Sequence, residues 1–378
     1  MKVSEVKVHL LSAPIEKKLR WKSSLGYAVK RDAVVVQVNT DEGITGFGEC
    51  SHALSPVSIE KIISSVLAPA IVEKDPFDIE KLLEEMHKGC RMLGDTGAPI
   101  IAISGVEIAL WDIIGKALQV PIHKLLGSYR DRIPAYAGGL SLGWKPIDQL
   151  CEEAVDLVHR GFRFIKLRVG RSVREDLESV KAVREAVGKD ISLMVDANGA
   201  YSRPIAHKII EEYEKFDLFW IEEPIHYNDL DGLAELALYT PIPIAAGENA
   251  YTTYGFKRLL DKKAADIVQP DCCKCGGLLE AKKIATLAQV YHIPVAPHII
   301  GTAIAMATGL QLLGCIPNGL IAEIDASLKN PLRDEIVTKS IELKEGMAKV
   351  PNGPGLGVEV DTSSFTRFPY IEGPCYIK

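Results

Sequence analysis

From Lys2 to about Cys50, apolar and polar residues alternate in short runs: VKVHLL, then AVVVQV, the turn Asp41-Glu42-Gly43, and ITGFGEC. A period of two turns one face of each run toward a core, so these runs predict an antiparallel meander. Between the first two lies a polar, aromatic stretch, Lys18 to Lys30, holding Trp21 and Tyr27. Loops with rigid rings often cover sites, so this stretch is a candidate lid. From about Ser58 to Gly127 the period becomes 3.6, and ISGVEIALWDIIGKAL sets Val106, Leu110, Ile113 and Leu118 near one helix face. Pro121 and Gly127 close this α+β unit.

Beyond Ile133 short apolar runs alternate with amphipathic helical stretches. The runs are Ala135–Gly139, Phe164–Val169, Ser192–Asn198, Leu218–Pro224, Pro243–Asn249, Ala265–Asp271, Ile293–His298 and Leu320–Asp325. Between them, Val173 to Val187 carries Leu177, Val180, Val183 and Val187 on one stripe before a capping Gly188, and Pro204 suits the first position of a helix running through Phe216. Eight such repeats predict an α/β fold, a TIM barrel with its first or last unit modified. The Gly- and Pro-rich segment Pro351–Asp361 resumes a strand pattern and is expected to return to the first unit. The expected division is thus residues 1–127, completed by about 350–378, and a barrel over 128–349.

Composition narrows the function. With 378 residues, 47% hydrophobic and 25% charged, the chain has the makeup of a folded globular protein. A net charge of −6 provides no basic excess for nucleic acid or an anionic membrane. The start MKVSEVKVHLLSAP lacks the parts of a secretory signal, and no apolar run is expected to approach a membrane span of about 20 residues. Eight cysteines in so long a chain suit a reducing cytoplasm rather than a disulfide scaffold.

The chemistry lies where the strands end. Lys166 and Arg168, Asp196, Glu222, Glu248, Asp271, His298 and Glu323 close successive runs, 23 to 30 residues apart from Lys166 onward, about one βα unit each. They therefore return to one end of the barrel, where active sites of this fold lie. Asp196, Glu222 and Glu248 would converge as three hard oxygen donors suited to Mg²⁺. Cys272, Cys273 and Cys275 are the rival metal signal, but lack a second CxxC pair for zinc. Lys166 and His298 would flank the metal as two bases, with Asp271 placed to hold the imidazole. Arg168, on the same strand face as Lys166, is expected to depress the lysine pKa.

With these residues in place, the chain resembles the enolase superfamily, specifically its mandelate racemase subgroup. SGVEIALWDIIGKALQVPIHKLLG, VDAN, WIEEP, GEN, QPD, PH and PNGPGLGVEV carry the resemblance in order and spacing. It implies an N-terminal α+β capping domain on a (β/α)7β barrel, Asp196, Glu222 and Glu248 as Mg²⁺ ligands, Lys166 as first base and an Asp271–His298 dyad. It also implies that Asn198 contacts substrate and that Glu323 hydrogen-bonds the substrate carboxylate. The implied reaction removes a proton α to a carboxylate through a stabilised enediolate. The stretches QPDCCKCGG, PHIIGTAIAMA and KNPLRDEI look most like an acid-sugar branch of dehydratases and galactarolactone cycloisomerases. Many members carry Lys-x-Lys where this chain has Lys166-Leu167-Arg168. Dehydration of a sugar acid is the favoured expectation. Lactone cycloisomerisation or racemisation would use the same residues, a metal-dependent hydrolase would want His-rich ligands, and a silent acid-binding protein would bind without turnover. Trp21, Tyr27, His52 and its neighbours, and the segment after Gly138 are the expected specificity elements, and the resemblance implies a homo-oligomer.

Overall fold

A computed structural model describes residues 1–52 and 55–378; Ala53 and Leu54, beside the His52 segment expected to shape specificity, lie outside the described residues. The chain opens with β1 (Val3–Pro14), makes a small hairpin of β2 (Lys22–Ser23) and β3 (Gly26–Ala28), and returns antiparallel to β1 as β4 (Lys30–Thr40). After the expected turn, β5 (Thr45–Cys50) pairs with β4, completing the meander. The period of two sorts β4 between two cores. Val34, Val36 and Val38 face helices, including Ile79–Cys90 and Ala98–Leu118, whereas Ala33 and Val35 join the core shared with the barrel.

Ala98–Leu118 lies close on β5. A Cβ on Gly48 would stand 2.0 Å from the Gly105 carbonyl oxygen, so a side chain there would force the two elements apart. The helix is buried almost all round, and Leu118, expected on its apolar face, is instead 49% exposed at its end. The expectation that nothing approaches a membrane span also needs correcting. Among the described residues this one helix is long and apolar enough by length and composition, yet 89% of its apolar window is buried inside the protein. Glu107 and Asp112 interrupt its apolar run, which is why a search for uninterrupted apolar residues passes over it.

The barrel runs β6 (Arg132–Gly138), β7 (Phe164–Arg168), β8 (Ser192–Asp196), β9 (Leu218–Glu222), β10 (Ile244–Ala246) and β11 (Ile267–Val268), all parallel, and β12 (Ala322–Asp325) pairs with β6 to close it. The run expected at Ile293–His298 forms only bridges, from Val295 to Val268 and to Gly319. Pro294 and Pro297 have no N–H to give a longer ladder. Seven helices fill the crossovers, from Ile147–His159 to Ala303–Cys315. Val173–Val187 has its expected limits and Gly188 at its C-cap, while Pro204 stands one residue inside its helix, Arg203–Tyr213.

Inside the barrel Tyr136, Met194, Trp220, Ala245, Ile267, Ala296 and Ile321 form one packed layer. Because side chains of a strand share a face every second residue, the groups two positions on form the next layer toward the strand ends. Those include Asp196, Glu222, His298 and Glu323.

Buried acids tie the first unit to the barrel. Glu49 accepts from the Thr302 hydroxyl (2.6 Å) and from the amides of Thr302 and Ala305 (both 3.0 Å), where Ala303–Cys315 begins. Glu107 accepts from the amides of Leu278 (2.7 Å) and Leu279 (2.9 Å), opening Leu278–Val290. Asp112 takes the Phe47 and Leu356 amides at 2.9 and 2.8 Å. The chain ends with β13 (Leu343–Lys344) and β14 (Met347–Lys349), the latter antiparallel to the start of β6, and with β15 (Tyr376–Ile377), which pairs with β3.

Candidate active site

The strand ends bring Asp196, Glu222 and Glu248 together, with one carboxylate oxygen from each lying within 4.8 Å of the others. Lys166, buried on β7, points into the same cluster. Its Nζ is 2.6 Å from Glu222, 3.0 Å from Glu323, 3.6 Å from Asp196 and 3.5 Å from the Tyr136 hydroxyl. On the other side His298 donates its Nδ1–H to Asp271 (2.7 Å) and turns Nε2 toward Glu248 (3.6 Å). Asp271 is itself fixed by the Cys273 amide at 2.7 Å. Glu323 accepts from the amides of Gly139 (3.2 Å) and Ile299 (3.1 Å). Gly138 makes room for it, since a Cβ there would stand 2.3 Å from the Glu323 carboxylate.

Arg168 donates to Asp196, to the Asn198 side chain (3.2 Å) and to the Gly139 carbonyl (3.2 Å). Asn198, in a left-handed turn at φ 46°, donates its own amide to Asp196 at 2.8 Å. Its side chain therefore stands at the edge of the acid cluster.

Electrostatics distinguish these acids. Burial, and next the charge of Asp196, push Glu222 up to about 8, against the pull of Lys166. Burial works against ionisation of Asp196 too, but Arg168 and Lys166 hold it below the usual carboxylate range. Glu323, also penalised by burial, is drawn down to about 2 by Lys166, His298 and Arg168. Three crowded carboxylates, with two cations too few to relieve Glu222, form a donor set that fits a hard divalent cation.

Lys166 departs from expectation. Burial and Arg168 do favour its neutral form, but Glu222 and Glu323 outweigh them and raise its pKa above the ordinary lysine value. Sequence neighbours understate this, because the deciding acids come from other strands. His298 is likewise disfavoured as a cation by burial, yet Glu248 and Asp271 raise it to about 9.

The lid candidates separate. Trp21 is buried over the Arg168 guanidinium, 5.2 Å from its ring, and donates to the Ser141 carbonyl at 3.0 Å. Tyr27 is 40% exposed and packs under Lys22 on the outer face of the hairpin, so it is not brought to the cluster. The alternation of a strand accounts for this: one face of the hairpin meets the barrel and the other meets solvent. His52 borders a small cleft with Lys30, Glu49, Leu140, Gly301 and Tyr376, its imidazole pKa lowered by burial. The three clustered cysteines are buried with thiol pKa values pushed well up, foremost by burial.

Several neighbours escaped sequence reasoning. Trp220 donates to Glu222 at 3.1 Å, and Asn249 spans Glu223 (3.0 Å) and Lys274 (2.8 Å). Ser24, at the hairpin tip, donates to the Ala197 carbonyl at 3.3 Å. Trp220 was legible in principle, standing two residues before Glu222 and hence on its face. The others depend on loop paths that periodicity does not specify.

Comparison with known proteins adds an independent line. Residues 6–127 match the family described as mandelate racemase / muconate lactonizing enzyme, N-terminal domain, and residues 149–364 match the enolase C-terminal domain-like family. The chain is 34% identical to a D-galactarolactone cycloisomerase of Agrobacterium fabrum, over 97% of this chain and 99% of that one. It is 38% identical to an arabinonate dehydratase of Saccharolobus solfataricus, over 89% and 90%. It also superposes on an L-talarate dehydratase from Polaromonas sp. JS666, solved with Mg and L-glucarate, with TM-score 0.85, 30% identity and 98% of each chain covered.

Proposed function

Because the chain belongs to the mandelate racemase / muconate lactonizing enzyme family of the enolase superfamily, we propose that it is a Mg²⁺-dependent dehydratase of a sugar acid. One observation carries the reading: Lys166 and His298 stand on opposite sides of the three-carboxylate cluster, with Glu323 reaching Lys166. Dehydratases among the relatives support the reaction type, and the Mg-bound relative supports the metal.

Asp196, Glu222 and Glu248 would hold the Mg²⁺. Bound there, the ion would supply Lewis acidity toward the substrate carboxylate and offset the carboxylate charge that favours protonated Lys166. Relieved of that charge, the Lys166 nitrogen would serve as the base, while Glu323, 3.0 Å from it, stands where the substrate carboxylate would gather charge. Lys166 then takes the C2 proton. Protonated His298, held by Asp271, gives its Nε2 proton to the departing C3 hydroxyl. Water leaves, and the resulting enol becomes a 2-keto-3-deoxy acid. Asp271 fixes the imidazole's orientation by accepting a hydrogen bond from its Nδ1–H.

The near full-length likeness to a galactarolactone cycloisomerase favours a second reading, in which a ring oxygen leaves instead of a hydroxyl. Proton NMR in D₂O, with Mg²⁺ and a panel of aldonic acids, aldaric acids and lactones, separates the two. Dehydration is expected to remove a C2 proton signal and bring up a 2-keto-3-deoxy signal. Conversion confined to a lactone would replace dehydration with cycloisomerisation, and C2 exchange with an epimer would replace it with racemisation.

A further inference from the structure

The hairpin over the barrel mouth does not stand alone. β2 and β3 have two and three residues, and an isolated two-stranded hairpin is marginal in water. Its third strand comes from the opposite end of the chain. β15 sets Tyr376 opposite Ala28 and Ile377 opposite Tyr27, and the Val29 amide donates to the Cys375 carbonyl at 2.8 Å. The fit is tight: Gly26, at φ 111°, lies where a Cβ would stand 2.5 Å from the Ile377 carbonyl oxygen. Behind it the buried Cys375 thiol donates to Asp32 at 3.1 Å, and Asp32 also holds Lys30 at 2.9 Å.

Tyr376 is carried into the site by this strand. Its ring meets the edge of Trp21, centroids 6.5 Å apart, and Trp21 lies over Arg168. Arg168 and Glu248 are among the charges acting on the phenol, and its hydroxyl has no hydrogen-bond partner among the described residues. In the proposed reaction the first three carbons of the acid engage Lys166, His298 and the carboxylates. The remaining hydroxylated carbons must extend toward the mouth that this hairpin covers. A phenol both donates and accepts, which suits a polyol.

We propose that the C-terminal strand is part of the substrate-binding apparatus: it completes the lid sheet, and Tyr376 is a specificity-determining residue for the distal hydroxyls of the acid. The specificity half rests on the sugar-acid reading, and the lid half does not. Tyr376→Phe keeps the ring against Trp21 and removes only the hydroxyl. It is expected to raise KM by about three- to tenfold for acids with a distal hydroxyl, with kcat nearly unchanged, and to leave KM unchanged for the distal deoxy analogue. Equal KM values for wild type and Tyr376→Phe on every acid would overturn the role of Tyr376. Deletion of residues 375–378 is expected to speed trypsin cleavage after Arg20 and Lys22 while cleavage elsewhere stays slow. An unchanged cutting rate in that lid would overturn the strand's role, and Tyr376→Phe serves as the folded control. A wild type inert toward every acid would remove the proposed reaction and with it the role of Tyr376, while the trypsin comparison still decides the lid.

Discussion

Glu49, Glu107 and Asp112, at the seam between the first unit and the barrel, are as buried as Asp196 and Glu222 at the strand ends, but their surroundings differ in kind. Glu49 and Glu107 are met chiefly by amides at the first turn of a barrel helix, where orphan N–H groups and the helix dipole favour an acceptor, and Asp112 by two amides and Lys116 at 2.6 Å. The strand-end acids are met by one another and by Lys166 and Arg168. Backbone donors around a buried acid make a staple between elements. Other acids around it, at a spacing of a few ångströms, make a place for a cation.

Substitutions can break this contrast. The largest effect belongs to the groups that move protons. Lys166→Ala and His298→Asn are each expected to lower turnover by about 10²–10⁴-fold or more while Mg²⁺ binding persists, as read by steady-state assay and metal titration. Wild-type-like turnover in both would dismiss the proposed chemistry. Next comes the metal. At a hundred times its dissociation constant Mg²⁺ should stabilise the wild type by about 2.7 kcal/mol in urea unfolding, reversibly with a chelator. Glu222→Gln should abolish that gain and Glu107→Gln should preserve it; the opposite pattern would mean that the two sets have been assigned the wrong way round.

A smaller loss is expected at the seam. Glu107→Ala leaves the Leu278 and Leu279 amides without their acceptor, at a cost of about 1–3 kcal/mol for each group left unsatisfied, with metal affinity unchanged. The last effect is a pH dependence, read as a slope in stability rather than as a loss. Burial, against its amide donors, pushes Glu107 up to about 8 and Glu49 up to about 7 in the folded chain. Between their ordinary unfolded values near 4.5 and these values, the folded state holds protons that the unfolded state has lost. Each therefore lowers stability as pH rises through that window. Glu107→Gln, which mimics the protonated form, should compare more favourably with wild type at pH 8 than at pH 5. Parallel stability–pH curves for the two proteins would show that Glu107 carries no such linkage.

Much of the fold was open to reading because one residue in each βα unit repeats the same position. Asp196, Glu222 and the groups after them could be placed at one end without knowing any loop. Val173–Val187 likewise needed only its stripe and Gly188. The reading failed where partners are distant in the chain. Arg168 is two residues from Lys166, but the acids that set the lysine's charge are Glu222 and Glu323, brought in by barrel closure. Trp21 and Tyr27 share one loop and look alike as letters, and only the pairing of β2 with β3 and β15 separates their faces. Pro294 and Pro297 were visible, yet an apolar run still suggested a full strand where only two isolated bridges form. Glu107 was the most available of the missed signals, an acid inside an otherwise apolar helical stretch.

That same helix, Ala98–Leu118, sets a condition on how the protein is made. The strands β4 and β5 that its apolar surface packs on precede it in the chain, but the barrel helix that Glu107 caps and the segment around Leu356 follow much later. At about 5–20 residues per second, some tens of seconds pass between the helix and its last partner. For that interval a nascent chain carries a stretch apolar enough to be mistaken for a membrane anchor, and holding factors at the ribosome would be expected to engage it there.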